Sequence, residues 1–201
     1  IAISSGEWWV YLTLPNNLKI IDNYFDNITA AIDLKASTSG GNEFLGGDNY
    51  FVIRNTIINS TNGIFVGYNS GTYKDLFIED NLIRSNEYGI NLRCFGDRLT
   101  NSRIYLNDIN SNHVGIGITD CRLNYLDRNN VTSKNIGIDV YGAEAHINNN
   151  KIVGKCDDDT CQKVSFNKVA DIGINVYEGS EVSILNNNVE SFYTSIKLLN
   201  S

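Results

Sequence analysis

Gly89-Ile90-Asn91-Leu92 is one copy of a four-residue phrase that recurs seven times along this chain of 201 residues. A small residue precedes isoleucine, a variable residue follows it, and an aliphatic residue closes the phrase. Burying every second side chain in this way is the period-2 pattern of a β-strand with one buried face. The seven copies lie at residues 31–34, 63–66, 89–92, 115–118, 137–140, 173–176 and 195–198.

A second phrase, built around asparagine, precedes each copy. The asparagine stands nine residues before the central isoleucine in six copies, and Asn150 precedes Ile174 by 24 residues in the other. An aliphatic residue comes three positions before each asparagine, and an apolar residue comes two positions after it. Both rules hold in every copy, which predicts about seven structural repeats. The asparagines are Asn23, Asn55, Asn81, Asn107, Asn129, Asn150 and Asn187.

The spacing of the repeats indicates how the chain folds. The shortest repeat has 22 residues, too few for a strand and a crossover helix, and the intervening segments have no helical period. Three short strands per coil fit, with coils stacked in register at about 4.8 Å around an aliphatic core. We expect each asparagine to occupy a left-handed corner and to bond the asparagines above and below it. The small residue before each isoleucine is expected at a second tight corner.

These phrases and spacings resemble the repeat of the right-handed parallel β-helix superfamily. That superfamily includes pectate and alginate lyases, polygalacturonases, mannuronan epimerases, phage tailspikes and periplasmic carbohydrate-binding proteins. The resemblance covers residues 18 to 199. It implies an all-β, single-stranded right-handed parallel β-helix (a solenoid of about seven coils) over residues 18–201. Residues 1–17 would form an N-terminal covering segment or partial coil.

The same resemblance says little about function, because the repeat encodes only the scaffold. The G-H-G phrase of polygalacturonases, the D-P-H-D phrase of mannuronan epimerases and the Arg-His-Gly phrase of β-helical alginate lyases are absent. Pectate lyases combine calcium-binding carboxylates with an arginine base. Those groups meet only in space, so the linear sequence does not test for them.

The best candidate surface is the outward face of the strand that holds the recurring phrase. Sugars stack on aromatic rings and hydrogen-bond to acids, amides and guanidinium groups, so this face suits a polysaccharide. The competing interpretation is an ordinary solvated sheet surface. If the protein is an enzyme, we expect lyase-type chemistry with Arg93 as base or carboxylate clamp and Tyr141 or Tyr177 as proton donor. The candidate binding residues are Asp33, Lys35, Phe65, Tyr68, Asn91, Arg93, Asp120, Asp139, Tyr141, Asn175 and Tyr177.

Four cysteines, an even number, are typical of an oxidising compartment, although four free thiols are the alternative. Cys94 and Cys121 are expected to be neighbours on adjacent coils and to form a disulfide. Cys156 and Cys161 are expected to close a loop. Calcium is the one cofactor that the loop suggests, but a calcium loop alternates its ligands and includes a glycine. The aspartates between the cysteines, Asp157, Asp158 and Asp159, are therefore interpreted as a solvated acidic loop.

Net charge and hydrophobicity restrict the partners. The formal net charge of −7 argues against nucleic acid, and no apolar run approaches the roughly 20 residues of a membrane span. The chain has no methionine, so we expect that a signal peptide has been removed or that a longer chain surrounds this one. Together these features predict a secreted or cell-surface protein that binds, and in the enzymatic case cleaves, a polysaccharide or cell-surface glycan. The alternative is a non-enzymatic structural module that associates with itself through an uncapped C-terminal coil, or forms part of a larger surface protein.

Overall fold

The computed structural model describes residues 16–35, 48–67, 73–94, 99–155 and 171–199. These residues form twenty strands in two parallel sheets, and none of them forms a helix that could cross a membrane. One sheet contains β1 (Lys19–Ile21), β4 (Asp48–Ile53), β6 (Tyr73–Glu79), β8 (Leu99–Thr100), β9 (Arg103–Tyr105), β12 (Arg122–Asp127), β15 (Glu144–Asn148) and β18 (Glu181–Leu185). The other contains β2 (Tyr24–Asp26), β3 (Ala30–Lys35), β5 (Thr56–Gly67), β7 (Leu82–Arg93), β10 (Asp108–Ser111), β11 (Val114–Thr119), β13 (Asn130–Ser133), β14 (Ile136–Tyr141), β16 (Lys151–Gly154), β17 (Ile172–Tyr177), β19 (Asn188–Glu190) and β20 (Thr194–Leu199).

The chain winds as a single solenoid. Each coil contributes three strand segments, and each segment pairs with its equivalent one coil further on, as β9 pairs with β12, β10 with β13 and β11 with β14. In two coils the second and third segments merge into the long strands β5 and β7. The architecture confirms the predicted parallel β-helix, whose right hand is the hand that parallel crossovers adopt.

The aliphatic column has the predicted register. The seven central isoleucines pair in order from Ile32 to Ile196. On the other sheet Ile78 pairs with Ile104, and Ile104 pairs with Leu126. These three side chains are fully buried. Parallel, in-register stacking therefore places each coil's apolar residues directly on those of the previous coil.

The asparagines form a continuous hydrogen-bonded ladder along the solenoid. In each of six steps, one asparagine donates its backbone N–H and its Nδ2 to the Oδ1 of the next, at 2.9–3.0 Å. Asn107 also donates Nδ2 to the carbonyl of Ile78 at 2.9 Å. Its side chain is almost completely buried, so the ladder satisfies polar groups that would otherwise destabilise the interior.

The left-handed corner lies one residue earlier than predicted. The ladder asparagines have no positive φ, whereas the residue before each of them has φ between 52° and 57°. Three of those residues, Arg54, Leu106 and Arg128, belong to types that rarely adopt this conformation. The chain reverses there because the following asparagine must direct its side chain inward, onto the ladder. The prediction of left-handed asparagines was therefore wrong.

The small residue before each central isoleucine is required for a reason other than the tight corner that was predicted. Gly89 has no positive φ and lies inside β7 rather than at a corner. A Cβ on Gly89 would lie 2.3 Å from Cγ2 of Ile109 and 2.6 Å from the carbonyl oxygen of Gly115. A glycine is required there because the backbone of the next coil approaches too closely for a side chain, and not because the chain turns.

We expect Asn107→Leu to lower the free energy of unfolding by about 3 kcal/mol or more. The substitution keeps the number of side-chain heavy atoms but removes the acceptor of the Asn81 backbone N–H and the donor to the carbonyl of Ile78, both in the interior. Urea-induced unfolding measures the effect. Asn130→Leu is the matched control because its amide is exposed and bonds only Asp108. Equal losses in the two variants would contradict a role for the ladder in stability.

Candidate functional site

The outward face of the predicted strand carries two rows of side chains, each row stacked coil on coil. One row runs through Asn91, Gly117 and Asp139, and the next runs through Arg93, Thr119 and Tyr141. The rows continue to Asn175 and Tyr177 on β17. Each of these residues follows a central isoleucine by one or three positions. Each pairs with its equivalent on the next coil, which confirms the predicted register.

A cleft of about 330 Å³ lies over the middle of this face. Its floor comes from the row through Gly117, and aromatic and charged side chains surround it. It brings together six of the predicted binding residues and adds the aromatic side chain of Tyr88, which was not predicted. The lining residues are Tyr88, Asn91, Arg93, Cys94, Gly117, Thr119, Asp120, Asp139, Tyr141 and Tyr177.

Gly117 creates the depression in the floor. A Cβ on this residue would lie 3.4 Å from Oδ1 of Asn91 and 3.4 Å from Cε1 of Tyr88. Asn91 and Asp139 flank the glycine on adjacent coils, so their backbones are about 10 Å apart. The missing side chain lowers the floor of the cleft between two polar side chains, and the cleft as a whole is large enough for a sugar ring.

Asp139 is a half-buried carboxyl group in the cleft. It accepts a hydrogen bond from Nδ2 of Asn175 at 2.8 Å and a longer one from the hydroxyl of Tyr177 at 3.4 Å. Burial raises its pKa, and these two hydrogen bonds and the nearby charge of His113 offset only part of that rise. The carboxyl group of Asp139 is therefore protonated at a higher pH than that of an exposed aspartate.

Two tyrosines form the wall beside Asp139. The rings of Tyr141 and Tyr177 meet edge to face, with centroids 5.0 Å apart. Burial, together with the charge and hydrogen bond of Asp139, raises the pKa of Tyr177 to about 12. A hydrogen bond to Glu178 raises the pKa of Tyr141. Both hydroxyl groups therefore remain protonated at neutral pH and act as hydrogen-bond donors.

The predicted Cys94–Cys121 disulfide is present and joins adjacent coils at one edge of the cleft, with Cα atoms 4.9 Å apart. Cys94 directly follows Arg93, and Cys121 directly follows Asp120. The crosslink therefore restrains the turn that presents these two charged residues. A disulfide also agrees with the expected oxidising compartment.

Some predicted residues lie away from the cleft or outside the described structure. Asp33 and Phe65 belong to the outward row but lie on the first two coils, and Lys35 pairs with Gly67 on the same coils. Tyr68 lies outside the described residues, as do Cys156, Cys161 and the aspartates at 157–159.

Tyr88 is the functional candidate that sequence reasoning missed. It precedes Ile90 by two positions, so strict period-2 alternation would assign it to the inward face with Ile90. The alternation breaks at Gly89, where two successive residues are buried, and Tyr88 reaches the cleft instead. Its ring packs against Gly117 on the next coil and lies edge to face with His113.

The outward face of the eight-stranded sheet also carries aromatic residues, but their rings pack against one another and against cationic side chains. Phe51 and Phe77 stack with centroids 5.2 Å apart and planes 23° apart. Lys19 lies 5.8 Å from the ring of Phe51, and Arg103 lies 5.1 Å from that of Phe77. Stacking and cation–π contacts between coils cover these ring faces, so this row stabilises the solenoid.

The fold and the cleft define a class of protein, a parallel β-helix with a ligand-sized depression on one outward sheet. Comparison with known proteins goes further, because the profile of a family described as "Periplasmic copper-binding protein (NosD)" matches residues 2–179. The chain belongs to the NosD family. Searches of curated proteins and of solved structures give no match. The family description is periplasmic, in agreement with the expected secreted or surface location.

The described residues do not fit a copper centre. Copper in proteins is bound by imidazole, thiolate and thioether groups, and the chain has two histidines and no methionine. His113 contacts Asn135 and His146 lies on the other sheet, while Cys94 and Cys121 are joined as a disulfide. In the described ranges no three His, Cys, Asp or Glu side chains are grouped so that they could hold a metal ion.

We expect Asp139→Asn to raise Tm at pH 7. Because the folded-state pKa of Asp139 lies above its ordinary value of 3.8, ionisation favours the unfolded state. The stabilisation by the substitution should decline as pH falls through the folded-state pKa and should vanish below the ordinary value, where the carboxyl is protonated in both states. Thermal melts across the pH range measure this. Asp80→Asn, at an exposed corner, is the control; an identical pH dependence there would refute the burial of Asp139.

Proposed function

We propose that this protein binds a polysaccharide in the cleft around Gly117. The observation that carries the proposal is the combination of a cleft of about 330 Å³ with tyrosines along its edges. Tyr88, Tyr141 and Tyr177 offer aromatic surface on which the apolar face of a sugar stacks. Asn91 and Asp139 offer hydrogen-bonding groups at the floor, which is the usual make-up of a carbohydrate site.

The cleft is better suited to binding than to cleavage. A general acid or base works best when its pKa lies near the working pH. The pKa of Tyr177 is raised to about 12 and that of Tyr141 is also raised, which moves both away from neutrality. Arg93 lines the same cleft and supplies a positively charged hydrogen-bond donor. We therefore confine the proposal to binding and keep these three residues as the candidates for any chemistry.

We expect the double substitution Tyr141→Ala and Tyr177→Ala to weaken glycan binding at least about tenfold, because both stacking surfaces disappear. A glycan array identifies the ligand, and isothermal titration calorimetry measures the affinity. Tyr125→Ala is the matched control, since this tyrosine is 55% exposed on the other sheet. Unchanged affinity in the double variant would place the site on another face, and an array without any bound glycan would refute the proposal.

Gly117→Val tests the gap itself without removing any side chain. Valine favours strands, and Gly117 has no positive φ, so the solenoid should tolerate it. The new side chain would occupy the space beside Asn91 and Tyr88. We expect unchanged or higher Tm together with loss of glycan binding. Retained affinity would mean that the ligand does not enter the depression.

The second candidate function is structural, and it has support at the last coil. Ile196 is 45% exposed and Leu198 is 67% exposed. Together with Val182 and Ile184 they line an apolar groove of about 420 Å³. Exposed apolar residues beside the strand edges of the last described coil are suited to pairing with a further β-strand, such as one supplied by a second copy of the chain.

We expect the assembly, if it occurs, to weaken in Leu198→Ser, because the groove loses apolar area. Sedimentation velocity over a concentration series measures it. Leu106→Ser, an exposed leucine on the side of the solenoid, is the control. A wild-type chain that sediments as a monomer at every concentration would contradict the structural proposal and leave glycan binding unaffected.

A further inference from the structure

The cleft is rich in hydrogen-bond acceptors and acidic groups, and this restricts the sugar that it would take. Asp120 and Asp139 both line it, and Arg93 is the one cation among its described lining residues. Glu178, which bonds the hydroxyl of Tyr141, adds a further negative charge at the rim. The formal net charge of the whole chain, −7, has the same sign.

Asn91 offers an available hydrogen-bonding group to a ligand in the cleft. Its side chain is only 5% exposed, yet it lines the cleft and no described residue hydrogen-bonds its amide. The amide faces the gap, because its Oδ1 lies 3.4 Å from where a Cβ of Gly117 would be. In the absence of a protein partner, a sugar hydroxyl in the cleft can bond this amide without breaking any hydrogen bond within the protein.

On the opposite side of the gap, the carboxylate of Asp139 is held in place by Asn175 and Tyr177. Each of its oxygens still has capacity for another donor. A ligand group seated over Gly117 therefore meets an amide on one coil and a fixed, half-buried carboxylate two coils away. A hydroxyl or an ammonium group complements that arrangement, whereas a second carboxylate beside Asp139 would be repelled.

We infer that the cleft selects amine-bearing sugars, such as glucosamine residues with a free 2-amino group, over uronates. The inference rests on the proposed glycan binding and specifies its substrate class. The ammonium group would bond Asp139, the hydroxyls would bond Asn91, and the ring would stack on the tyrosines, whose faces also attract cations. Arg93 points to the opposite preference, because a guanidinium group clamps carboxylates. The two acidic lining residues, Asp120 and Asp139, carry more charge than the single guanidinium group of Arg93, so we expect the preference for a cation to prevail.

The test compares three β-1,4-linked tetrasaccharides that differ in charge: glucosamine, glucose and mannuronate. Calorimetric titration is carried out at a pH at which the sugar amine is protonated. We expect the glucosamine tetramer to bind about tenfold more tightly than the glucose tetramer, as for a charge-assisted hydrogen bond, and the mannuronate tetramer to bind most weakly. In Asp139→Asn the preference for glucosamine over glucose should be lost, whereas Asp80→Asn should keep it.

The outcomes separate the inference from the function on which it rests. Tightest binding of the mannuronate tetramer would overturn the inference, assign the selection to Arg93 and leave glycan binding intact. A preference for glucosamine that survives in Asp139→Asn would overturn the assignment of Asp139. Binding of none of the three tetramers would overturn the inference, and the glycan array would then decide whether the proposed function stands.

Discussion

The hydrogen bonds between stacked asparagines are the interaction on which the rest of the structure depends. Each step uses two donors of one asparagine and one oxygen of the next, at 2.9–3.0 Å, inside an otherwise apolar interior. A shift of one residue would leave these groups unpaired and would turn the isoleucines outward. The ladder therefore sets the register of every coil. It also forces residues such as Arg54 and Leu106 into a left-handed conformation that their side chains disfavour.

The register of the coils in turn determines which side chains meet at the candidate site. Because equivalent positions stack at about 4.8 Å, residues far apart in sequence become neighbours on one surface. Asn91, Gly117 and Asp139 are consecutive members of a single row, and Tyr141 lies beside Tyr177 in the next. One glycine in that row is enough to create the depression. The Cys94–Cys121 disulfide then restrains the turn at its edge.

The description of the NosD family and the side chains of the cleft indicate different ligands. The family is described as copper-binding, but within the described ranges the two histidines lie on different faces and the two cysteines are oxidised. The cleft instead presents tyrosines, an unpaired amide and a half-buried carboxylate. A solenoid scaffold allows such divergence, because outward residues change without disturbing the ladder and the aliphatic column.

The sequence by itself determined the solenoid, its coil boundaries, the pairing of every central isoleucine and the Cys94–Cys121 crosslink. It could do so because each repeat contacts only its neighbours, so that the spacing of residues along the chain translates directly into contacts between coils. Only the tertiary structure decided which outward residues form a site. It brought Tyr88 over Gly117, placed the amide of Asn91 in the lining of the cleft and raised the pKa of Asp139. Those properties depend on packing between three adjacent coils, and a periodic pattern specifies a face of the strand but not the space or the burial above it.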